Sequence, residues 1–417
     1  MGHTLIRKKI SKRFSIMKVK KFIPGSFKNK LILNLGLQPY ADTFVGKNKL
    51  KKKEPLYPLK VYICKKSGII QVGNITRPEE RYNLYDYSYT SSNSEYSKNH
   101  WIDFFKDSVK FCNKKKIKVY EIGSNDGFLL SNFKKHGHKV MGIEASKFMA
   151  KLSNKNKIFT VRKIFSYKIS KEINKKFGNC DLIVANNVLN HSNDPNDFIK
   201  GVFNLLNEKG TFIFELPYWA ETVKSKKFDQ IYHEHVTYFT ILMTFNLLKQ
   251  NNFQIKKVIQ NRYHGGSIRV YSQKSTKPIL SKIVKKYIIQ EKKIGIFNVN
   301  TYKKITKFIK RRKSEIIKQI KYYKSRDYKI VGIGAAAKAN TLINTFKLDN
   351  SHIDFITDAS KYKIGKFTPK SRIPIYNDKK LSKYKKICAI LLTWNLKKQL
   401  KKKLISINKD ISFIEVF

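Results

Sequence analysis

The stretch that most constrains the fold of this chain is Glu121-Ile-Gly-Ser-Asn-Asp-Gly127, directly after the apolar run Ile117-Lys-Val-Tyr120. A short strand that ends in a carboxylate and a glycine-rich turn is typical of α/β domains that present backbone N–H groups to a nucleotide-like cofactor. Glycine allows the sharp turn and a close approach to the ligand because it lacks a Cβ. The loop carries Asn125 and Asp126 where a dinucleotide site keeps small residues. This favours a cofactor with a cationic or zwitterionic end, and S-adenosylmethionine fits.

Strand-like and helix-like segments alternate on both sides of this loop, which predicts a mostly parallel, doubly wound sheet. A second βαβ rhythm begins near residue 329, and apolar residues at helical spacing within 276–327 predict two long amphipathic helices between the two units. The strand-like runs are Lys118-Val-Tyr-Glu-Ile122, Lys139-Val-Met-Gly-Ile143, Asp181-Leu-Ile-Val-Ala185, Gly210-Thr-Phe-Ile-Phe-Glu215, Lys329-Ile-Val-Gly-Ile-Gly334, Ile353-Asp-Phe-Ile-Thr357 and Ala389-Ile-Leu-Leu-Thr393.

These patterns predict an α/β protein in three parts. Residues 1–100 are turn-rich and form a small irregular N-terminal module, and residues 101–257 form a Rossmann-like domain that binds the cofactor. Residues 258–417 form a second Rossmann-like α/β domain, which begins with the helical linker and helps to bind the substrate. A chain of 417 residues is long enough for this organisation.

The net charge of +58 suggests a nucleic-acid partner, but its distribution argues against one. Only 11 of the basic residues are Arg, and Lys is spread through every region, whereas nucleic-acid surfaces concentrate charge and use Arg for bidentate contacts. The sequence contains no run of 18 apolar residues, so we expect no membrane-spanning helix. The four cysteines lie far apart, which favours a reducing, cytoplasmic compartment. We therefore expect no stable nucleic-acid or membrane partner, and the sequence leaves the oligomeric state open.

Several polar residues stand where predicted strands end, and such positions line the ligand site of open α/β sheets. Glu144 ends the second strand, at the distance from the glycine loop where a carboxylate grips ribose hydroxyls. The later strand near residue 181 is followed by Asn186, Asn187 and His191. The predicted cofactor-binding residues are Glu121, Gly123, Asn125, Asp126, Gly127, Glu144, Asn186 and Asn187.

The densest group of titratable residues is Tyr232-His-Glu-His235. It lacks the i, i+4 histidine spacing of a metal-binding helix and has no cysteine nearby, so it does not favour a metal site. Proton transfer is the better interpretation, with His235 as general base, Glu234 orienting or polarising it, and Tyr232 holding a substrate oxygen.

Two further segments are candidates for substrate binding. The run His264-Gly-Gly-Ser-Ile-Arg-Val270 could bring backbone close to a ligand at His264 and Gly265, with Arg269 as a phosphate or carboxylate partner. The run Gly334-Ala-Ala-Ala-Lys338 follows a strand and opens a helix, so Gly334 and Lys338 could form an anion site for the diphosphate of a nucleotide substrate. A turn into a strand and tight packing are the alternative explanations.

With these motifs in order, the chain resembles the sugar C-methyltransferases that act on nucleotide-linked keto-deoxysugars. The resemblance rests on Asn34-Leu-Gly-Leu-Gln-Pro39, the 121–127 loop, Tyr232-His-Glu-His235 with His264-Gly-Gly266, and Gly334-Ala-Ala-Ala-Lys-Ala-Asn-Thr341. It implies a class I methyltransferase domain, S-adenosylmethionine as cofactor and a nucleotide-sugar substrate. It also implies that the active-site groups are Tyr87, His191, Tyr232, Glu234 and His235, with His235 as the base.

One departure from that family concerns zinc. Its N-terminal module holds the metal through two Cys-x-x-Cys pairs, whereas this chain retains only Cys64, in Cys64-Lys-Lys-Ser67. One thiolate cannot assemble a four-ligand structural site. We therefore expect the zinc site to be lost and the module to be held by packing.

Two other functions remain open at this stage. The high charge motivates a nucleic-acid methyltransferase or RNA-binding protein, which would bind RNA tightly and in a strongly salt-dependent way. The missing zinc ligands motivate a non-catalytic relative. Neither alternative explains why the central and C-terminal motifs are intact.

Overall fold

The computed structural model describes residues 23, 29–73, 76, 90–92 and 94–417. The strands are β1 (Asn29–Gln38), β2 (Tyr57–Cys64), β3 (Ile70–Val72), β4 (Lys118–Ile122), β5 (Lys139–Glu144), β6 (Thr160–Arg162), β7 (Cys180–Asn186), β8 (Leu206–Pro217), β9 (Thr237–Tyr238), β10 (Phe253–Asn261), β11 (Ser267–Lys274), β12 (Lys329–Ile333), β13 (Phe355–Thr357), β14 (Ile375–Tyr376), β15 (Ile387–Leu391) and β16 (Ile411–Glu415). The helices are α1 (Glu95–Cys112), α2 (Phe128–Lys135), α3 (Lys147–Lys155), α4 (Tyr167–Phe177), α5 (Pro195–Leu205), α6 (Trp219–Lys224), α7 (Ile241–Lys249), α8 (Lys282–Ile294), α9 (Val299–Lys324), α10 (Ala337–Phe346) and α11 (Lys397–Ile407).

The central sheet has seven strands in the order β10-β11-β8-β7-β4-β5-β6. Strands β4 to β8 run parallel, and β10 and β11 form an antiparallel hairpin against β8. In β7, Ile183 joins one hydrophobic cluster while Leu182 and Val184 join another, so both faces of the sheet are buried. Burial of each such side chain stabilises the fold by about 1.5–3 kcal/mol. The strands predicted near residues 118, 139, 181 and 210 are confirmed.

The chain order reverses beside β4, which lies between β5 and β7. Open α/β sheets bind ligands outside the carboxyl ends of their strands at such a switch point. The glycine loop at 121–127 follows β4, and residues 186–191 lie at and beyond the end of β7. The two segments that the sequence analysis singled out therefore flank the same crevice.

A second, fully parallel sheet has the order β14-β13-β12-β15-β16. Its own switch point lies between β12 and β15, where residues 334–338 and 393–395 follow the two strands. The strands predicted near residues 329, 353 and 389 are confirmed. The two α/β units are thus built on one plan.

The N-terminal segment contains an antiparallel sheet, β1-β2-β3-β9, that the sequence analysis did not predict. In β2 the buried residues Leu59, Val61 and Ile63 alternate with more exposed ones, as expected for a strand with one buried face. The fourth strand, β9, belongs to the central part of the chain and pairs with β3 through Ile70 and Tyr238. The module is therefore joined to the central part through a shared sheet.

The predicted domain boundaries at residues 100 and 257 stay predictions. The central sheet itself continues past residue 257, because β11 pairs with both β10 and β8. Helices α8 and α9 follow this hairpin and confirm the two amphipathic helices predicted within 276–327. Among the residues that the structure describes, no helix combines the length and low polarity needed to cross a membrane.

A buried carboxylate fastens the helical linker to the central part of the chain. Glu291 of α8 accepts hydrogen bonds from the phenol of Tyr218 at 2.9 Å, from the backbone N–H of Leu242 at 3.2 Å and from that of Ile241. It thereby caps the start of α7 from another helix. Burial raises the pKa of Glu291 to about 7. Ionisation of this carboxyl is therefore less favourable in the folded protein than in the unfolded chain.

The pKa of Glu291 predicts a pH-dependent loss of stability. Its pKa of about 7 in the folded state exceeds the value of about 4.3 in the unfolded chain. The free energy of unfolding should therefore fall as pH rises from about 4.3 to 7, by roughly 3 kcal/mol from this residue. Glu291→Gln should remove that contribution. Urea unfolding midpoints across this pH range measure the contribution of Glu291, with the exposed-site variant Glu208→Gln as the control. If the midpoints of Glu291→Gln and wild type change with pH in parallel, the prediction is wrong.

Candidate active site

The loop after β4 is shaped by residues with positive φ. Gly123 has φ +73°, its N–H donates to the Ile143 carbonyl at 2.7 Å, and a Cβ at this position would lie 2.2 Å from Cγ2 of Val188. Only glycine fits here without displacing the loop that follows β7. Gly127, with φ +78°, precedes α2 and packs against Ser153, so it supports the loop from behind.

Two buried carboxylates line the crevice beside this loop. Glu144 accepts hydrogen bonds from the backbone N–H groups of Asn125 at 2.9 Å and Ser146 at 2.8 Å, which fixes its side chain. Burial raises the pKa of Glu144, and burial together with the Asp126 and Glu144 carboxylates raises the pKa of Glu121 well above its usual range. Oε2 of Glu121 has no hydrogen-bond partner among the residues that the structure describes. Such a site suits hydroxyl or cationic ligand groups.

Asp126 was predicted to bind the cofactor, and the structure shows it in hydrogen bonds to protein groups instead. Its carboxylate accepts hydrogen bonds from the hydroxyl of Ser92 at 2.6 Å, from the N–H of Ser92 at 3.2 Å and from the hydroxyl of Ser91. Ser91 lines the crevice, whereas Asp126 does not. The carboxylate therefore orders the segment around Ser91 rather than facing the ligand.

The far wall of the crevice comes from the end of β7. Asn186 and Asn187 line it, and Asn187 has a left-handed backbone with φ +55°. Both polar side-chain atoms of Asn186 and Oδ1 of Asn187 lack a hydrogen-bond partner within the described part of the chain. Buried amides without partners are rare in folded proteins. They are positioned to bind polar groups of a ligand.

The crevice is a cavity of about 290 Å³ that combines polar and apolar walls. Its polar lining includes Glu121, Gly123, Asn125, Glu144, Asn186, Asn187 and His191. Its apolar lining includes Trp101, Leu129, Ile143, Ile164, Phe165 and Phe198. Polar atoms that have no partner among the described residues lie beside flat apolar surfaces, and this combination fits S-adenosylmethionine, which carries an ammonium group, ribose hydroxyls and a planar base.

A hydrogen-bonded pair, Tyr232 and His235, lies beside this cavity. His235 Nδ1 lies 2.9 Å from the Gln230 carbonyl, which can only accept, so Nδ1 carries the proton and Nε2 is the basic atom. The Tyr232 hydroxyl donates to Nε2 at 2.7 Å. Burial lowers the pKa of His235 to about 4, so the imidazole is neutral at physiological pH. This pair can accept a proton.

His191 connects the pair with the cofactor cavity. It lines the cavity, and its ring lies 5.0 Å from that of His235 in an edge-to-face arrangement. Glu234, in contrast, points towards the N-terminal module, where Oε1 accepts the backbone N–H of Asp42 at 3.1 Å. The structure thus brings His191, Tyr232 and His235 together and gives Glu234 a contact outside this group. Tyr87 lies outside the described residues.

The switch point of the C-terminal sheet supplies a cationic cluster around Trp394. The ammonium groups of Lys227 and Lys338 each lie 4.4 Å from the centre of the Trp394 ring. Lys338 also donates to Oδ1 of Asn395, and Asp229 accepts the indole N–H of Trp394 at 2.6 Å. Burial lowers the pKa of Lys338 to about 8 and raises that of Asp229 to about 6. At neutral pH the cluster carries a net positive charge.

The loop at His264 and Gly265 contacts this cluster. Lys227 donates to the Gly265 carbonyl at 3.0 Å, and a Cβ on Gly265 would lie 2.2 Å from the Trp394 ring. Burial, with Lys338 and the nearby histidines His100 and His235, lowers the pKa of His264 to about 3. Gly334 lies at the end of β12 against Thr393. The predicted residues His264, Gly265, Gly334 and Lys338 therefore gather at the C-terminal switch point.

Arg269 was predicted as an anion partner for the substrate, and the structure places it elsewhere. Its guanidinium is paired with Glu215 and Asp107, each at 2.8 Å, and lies 4.3 Å from the ring centre of Phe104. Its positive charge is therefore neutralised inside the protein. Glu215 is fully buried and also contacts His100 at 2.6 Å, so the group is a structural network.

Three residues of this cluster were not predicted from the sequence: Lys227, Trp394 and Asn395. Trp394 and Asn395 follow β15, so the rule that drew attention to His191 would have found them too. Lys227 carries no such signal, because lysine is abundant throughout the chain. Only the fold shows which lysines meet.

Three known protein families match successive parts of the chain. Residues 95–258 match a family described as a methyltransferase domain, residues 262–415 match the “C-methyltransferase C-terminal domain”, and residues 23–82 match the “Putative zinc binding domain”. The C-methyltransferase NovU of Streptomyces niveus is 25% identical over 370 residues, which cover 87% of each chain.

Solved structures of methyltransferases match less than half of the chain at low sequence identity. A magnesium protoporphyrin IX methyltransferase of Synechocystis PCC 6803 with bound SAH is 15% identical, covers 43% of this chain and 83% of its own, and has a TM-score of 0.35. An S-adenosylmethionine-dependent methyltransferase of Clostridium acetobutylicum is 16% identical and covers 44% and 94% of the two chains, at a TM-score of 0.35. The class I fold follows from the strand order together with the matched methyltransferase domain.

Gly123→Ala tests whether the loop forms the cofactor cavity. The added methyl group should push against Val188 and narrow the cavity, so the affinity for S-adenosylhomocysteine should fall by roughly tenfold or more. Isothermal titration calorimetry measures this. Gly365→Ala is the matched control, because Gly365 also has positive φ (+82°) but a Cβ there would meet nothing within 4 Å. Equal affinities for the two variants would contradict the assignment.

Proposed function

We propose that this S-adenosylmethionine-dependent methyltransferase methylates a carbon atom of a nucleotide-linked keto-deoxysugar. The observation that carries the proposal is the contact between His191 and His235, which joins the cofactor cavity to a buried, neutral base. Carbon methylation α to a ketone needs such a base close to the methyl donor.

In the proposed mechanism the chain's residues take a proton from the carbon beside the sugar ketone. The Tyr232 oxygen takes this proton while its own proton moves to Nε2 of His235. The Gln230 carbonyl holds Nδ1–H in place, so the proton can be received only at Nε2. In this mechanism His191, which lines the cavity next to the pair, donates to the enolate oxygen. S-adenosylmethionine, when bound, supplies an electrophilic methyl group.

We further propose that the cluster of Lys227, Lys338 and Trp394 binds the diphosphate of the nucleotide. Its net positive charge at neutral pH suits an anionic group. The charges of Lys338 and His235 both act on the pKa of His264. This supports the view that the lysine cluster lies near the proposed base. The sugar would then lie between the two switch points, with its ketone towards His235.

Label transfer tests the proposed function. The purified chain is incubated with methyl-labelled S-adenosylmethionine and a panel of nucleotide-linked keto-deoxysugars, and mass spectrometry locates the label. We expect one added methyl group on a sugar carbon. Label on oxygen or nitrogen, or on RNA supplied in parallel, would reject the proposal, and the RNA result would favour the nucleic-acid alternative.

The Tyr232–His235 pair is expected to act as one unit. Tyr232→Phe and His235→Asn should each lower kcat by roughly 10²–10⁴-fold, the usual range for lost general base catalysis. The double variant should be no slower than the worse single variant, because either change breaks the same relay. Steady-state kinetics on the substrate found above give these rates, with S-adenosylhomocysteine affinity as the binding control. Multiplicative losses, or wild-type turnover in either variant, would contradict the relay.

Lys338 is expected to act on substrate affinity. Lys338→Met should raise the KM for the nucleotide sugar by roughly tenfold, since a charge-assisted contact of 1.5–3 kcal/mol is lost, while cofactor affinity stays constant. In the wild type, KM should also rise as pH increases through about 8, because Lys338 then loses its proton. The variant should lack this rise. Lys361→Met, at an exposed lysine of the same part of the chain, is the control; the same KM in both variants would overturn the assignment.

A further inference from the structure

The N-terminal module matches a zinc-binding family but does not carry a zinc ligand set. Residues 23–82 contain one cysteine, Cys64, and no histidine. Structural zinc needs four ligands, mostly thiolates and imidazoles. Among the described residues, no group of three or more histidine, cysteine, aspartate or glutamate side chains could hold a metal. The donor set therefore does not fit zinc, and other contacts must order the module.

One set of contacts fixes the turn at Cys64. Within the turn, the N–H of Gly68 donates to the Cys64 carbonyl at 2.9 Å and the N–H of Cys64 donates to that of Ile69 at 2.8 Å. From the central part of the chain, Asn246 donates to the Ser67 carbonyl at 3.1 Å. A Cβ on Gly68 would lie 3.0 Å from the backbone of α7, so the turn packs directly on this helix.

A second set of contacts ties the opposite edge of the module to the C-terminal α/β unit. Arg372 forms an ion pair with Glu54 at 2.7 Å and donates to the Lys52 carbonyl at 3.0 Å. The backbones of Val45 and Phe367 exchange two hydrogen bonds of 2.8 Å. The side chains of Glu54 and Arg372 are only 16% and 22% exposed, so water screens the pair less than a surface pair.

The module so held contacts the segment that carries the base. Strand β3 pairs with β9, and the N–H of Val72 donates to the Val236 carbonyl at 3.0 Å, next to His235. The N–H of Asp42 donates to Glu234, on the other side of His235. Both chain neighbours of His235 are therefore bonded to the module.

We propose that this chain replaces the zinc of its N-terminal module with a two-sided clamp, formed by α7 and by the Arg372–Glu54 pair, and that the clamped module positions the Tyr232–His235 pair. Glu234 is then a positioning residue, which links the module to the base. Loss of the clamp loosens residues 232–238 while the cofactor cavity stays formed. The effect on turnover rests on the proposed function, whereas the effect on backbone order does not.

Hydrogen exchange with mass spectrometry on the full chain tests the clamp without an activity assay. Glu54→Gln should speed exchange by about tenfold in peptides that cover residues 68–73 and 234–240, and leave those that cover β4 unchanged, because only the clamped elements open locally. Glu208→Gln, which breaks a surface ion pair with Lys274, is the matched control and should change neither region. Arg372→Lys keeps the charge, so hydrogen exchange in the same two sets of peptides should be slower in this variant than in Arg372→Met.

Kinetics and metal analysis complete the test. With an active substrate in hand, Glu54→Gln should lower kcat by about tenfold and leave the affinity for S-adenosylhomocysteine within twofold of wild type, the split expected of a positioning group. Elemental analysis of the purified chain should find far less than one zinc per chain, and a chelator should leave exchange unchanged. Stoichiometric zinc, or exchange in Glu54→Gln that matches Glu208→Gln, would overturn the proposal, whether or not the chain methylates a sugar.

Discussion

The structure depends on satisfying the polar groups of one buried segment, residues 228–239. Asp229 is fully buried and receives the indole N–H of Trp394, Glu234 receives a backbone N–H from the N-terminal module, and His235 is held by the Gln230 carbonyl. Buried polar groups without partners are costly, so each of these contacts favours one arrangement of the three parts. The Tyr232–His235 pair lies within this segment, and both other parts of the chain form hydrogen bonds to the segment.

Two α/β sheets accompany this segment: the central sheet, in which β4 to β8 are parallel, and the fully parallel C-terminal sheet. Each has a switch point, and the two have opposite character: buried carboxylates and unpartnered amides at the first, lysines around an indole at the second. An acidic crevice suits a cationic cofactor and a cationic crevice suits an anionic substrate. The same architecture, used twice with different side chains, thus gives the proposed cofactor and the proposed substrate two crevices of opposite charge.

Much of this arrangement could be predicted from the sequence. Apolar strands and the glycine loop led to β4, β5, β7 and β12, and the strand-end rule led to Asn186 and His191, because these features depend on local patterns. The N-terminal sheet was missed because two register shifts interrupt the pairing of β1 with β2 and because its last strand, β9, is distant in sequence. The ion pairs of Arg269 could not be predicted either, because Glu215 and Asp107 are distant from it in sequence and are brought to it only by the fold. Long-range pairing is what a single sequence does not reveal.

The two-residue strand β9 has a consequence for how such enzymes can be recombined. The boundaries drawn by family matching cut between residues 82 and 95, yet the sheet of the N-terminal module is completed by Thr237 and Tyr238. A chimaera that exchanged the N-terminal module alone would pair a foreign strand with this native one. Both segments would have to be transferred together, because this structural unit is discontinuous in the sequence.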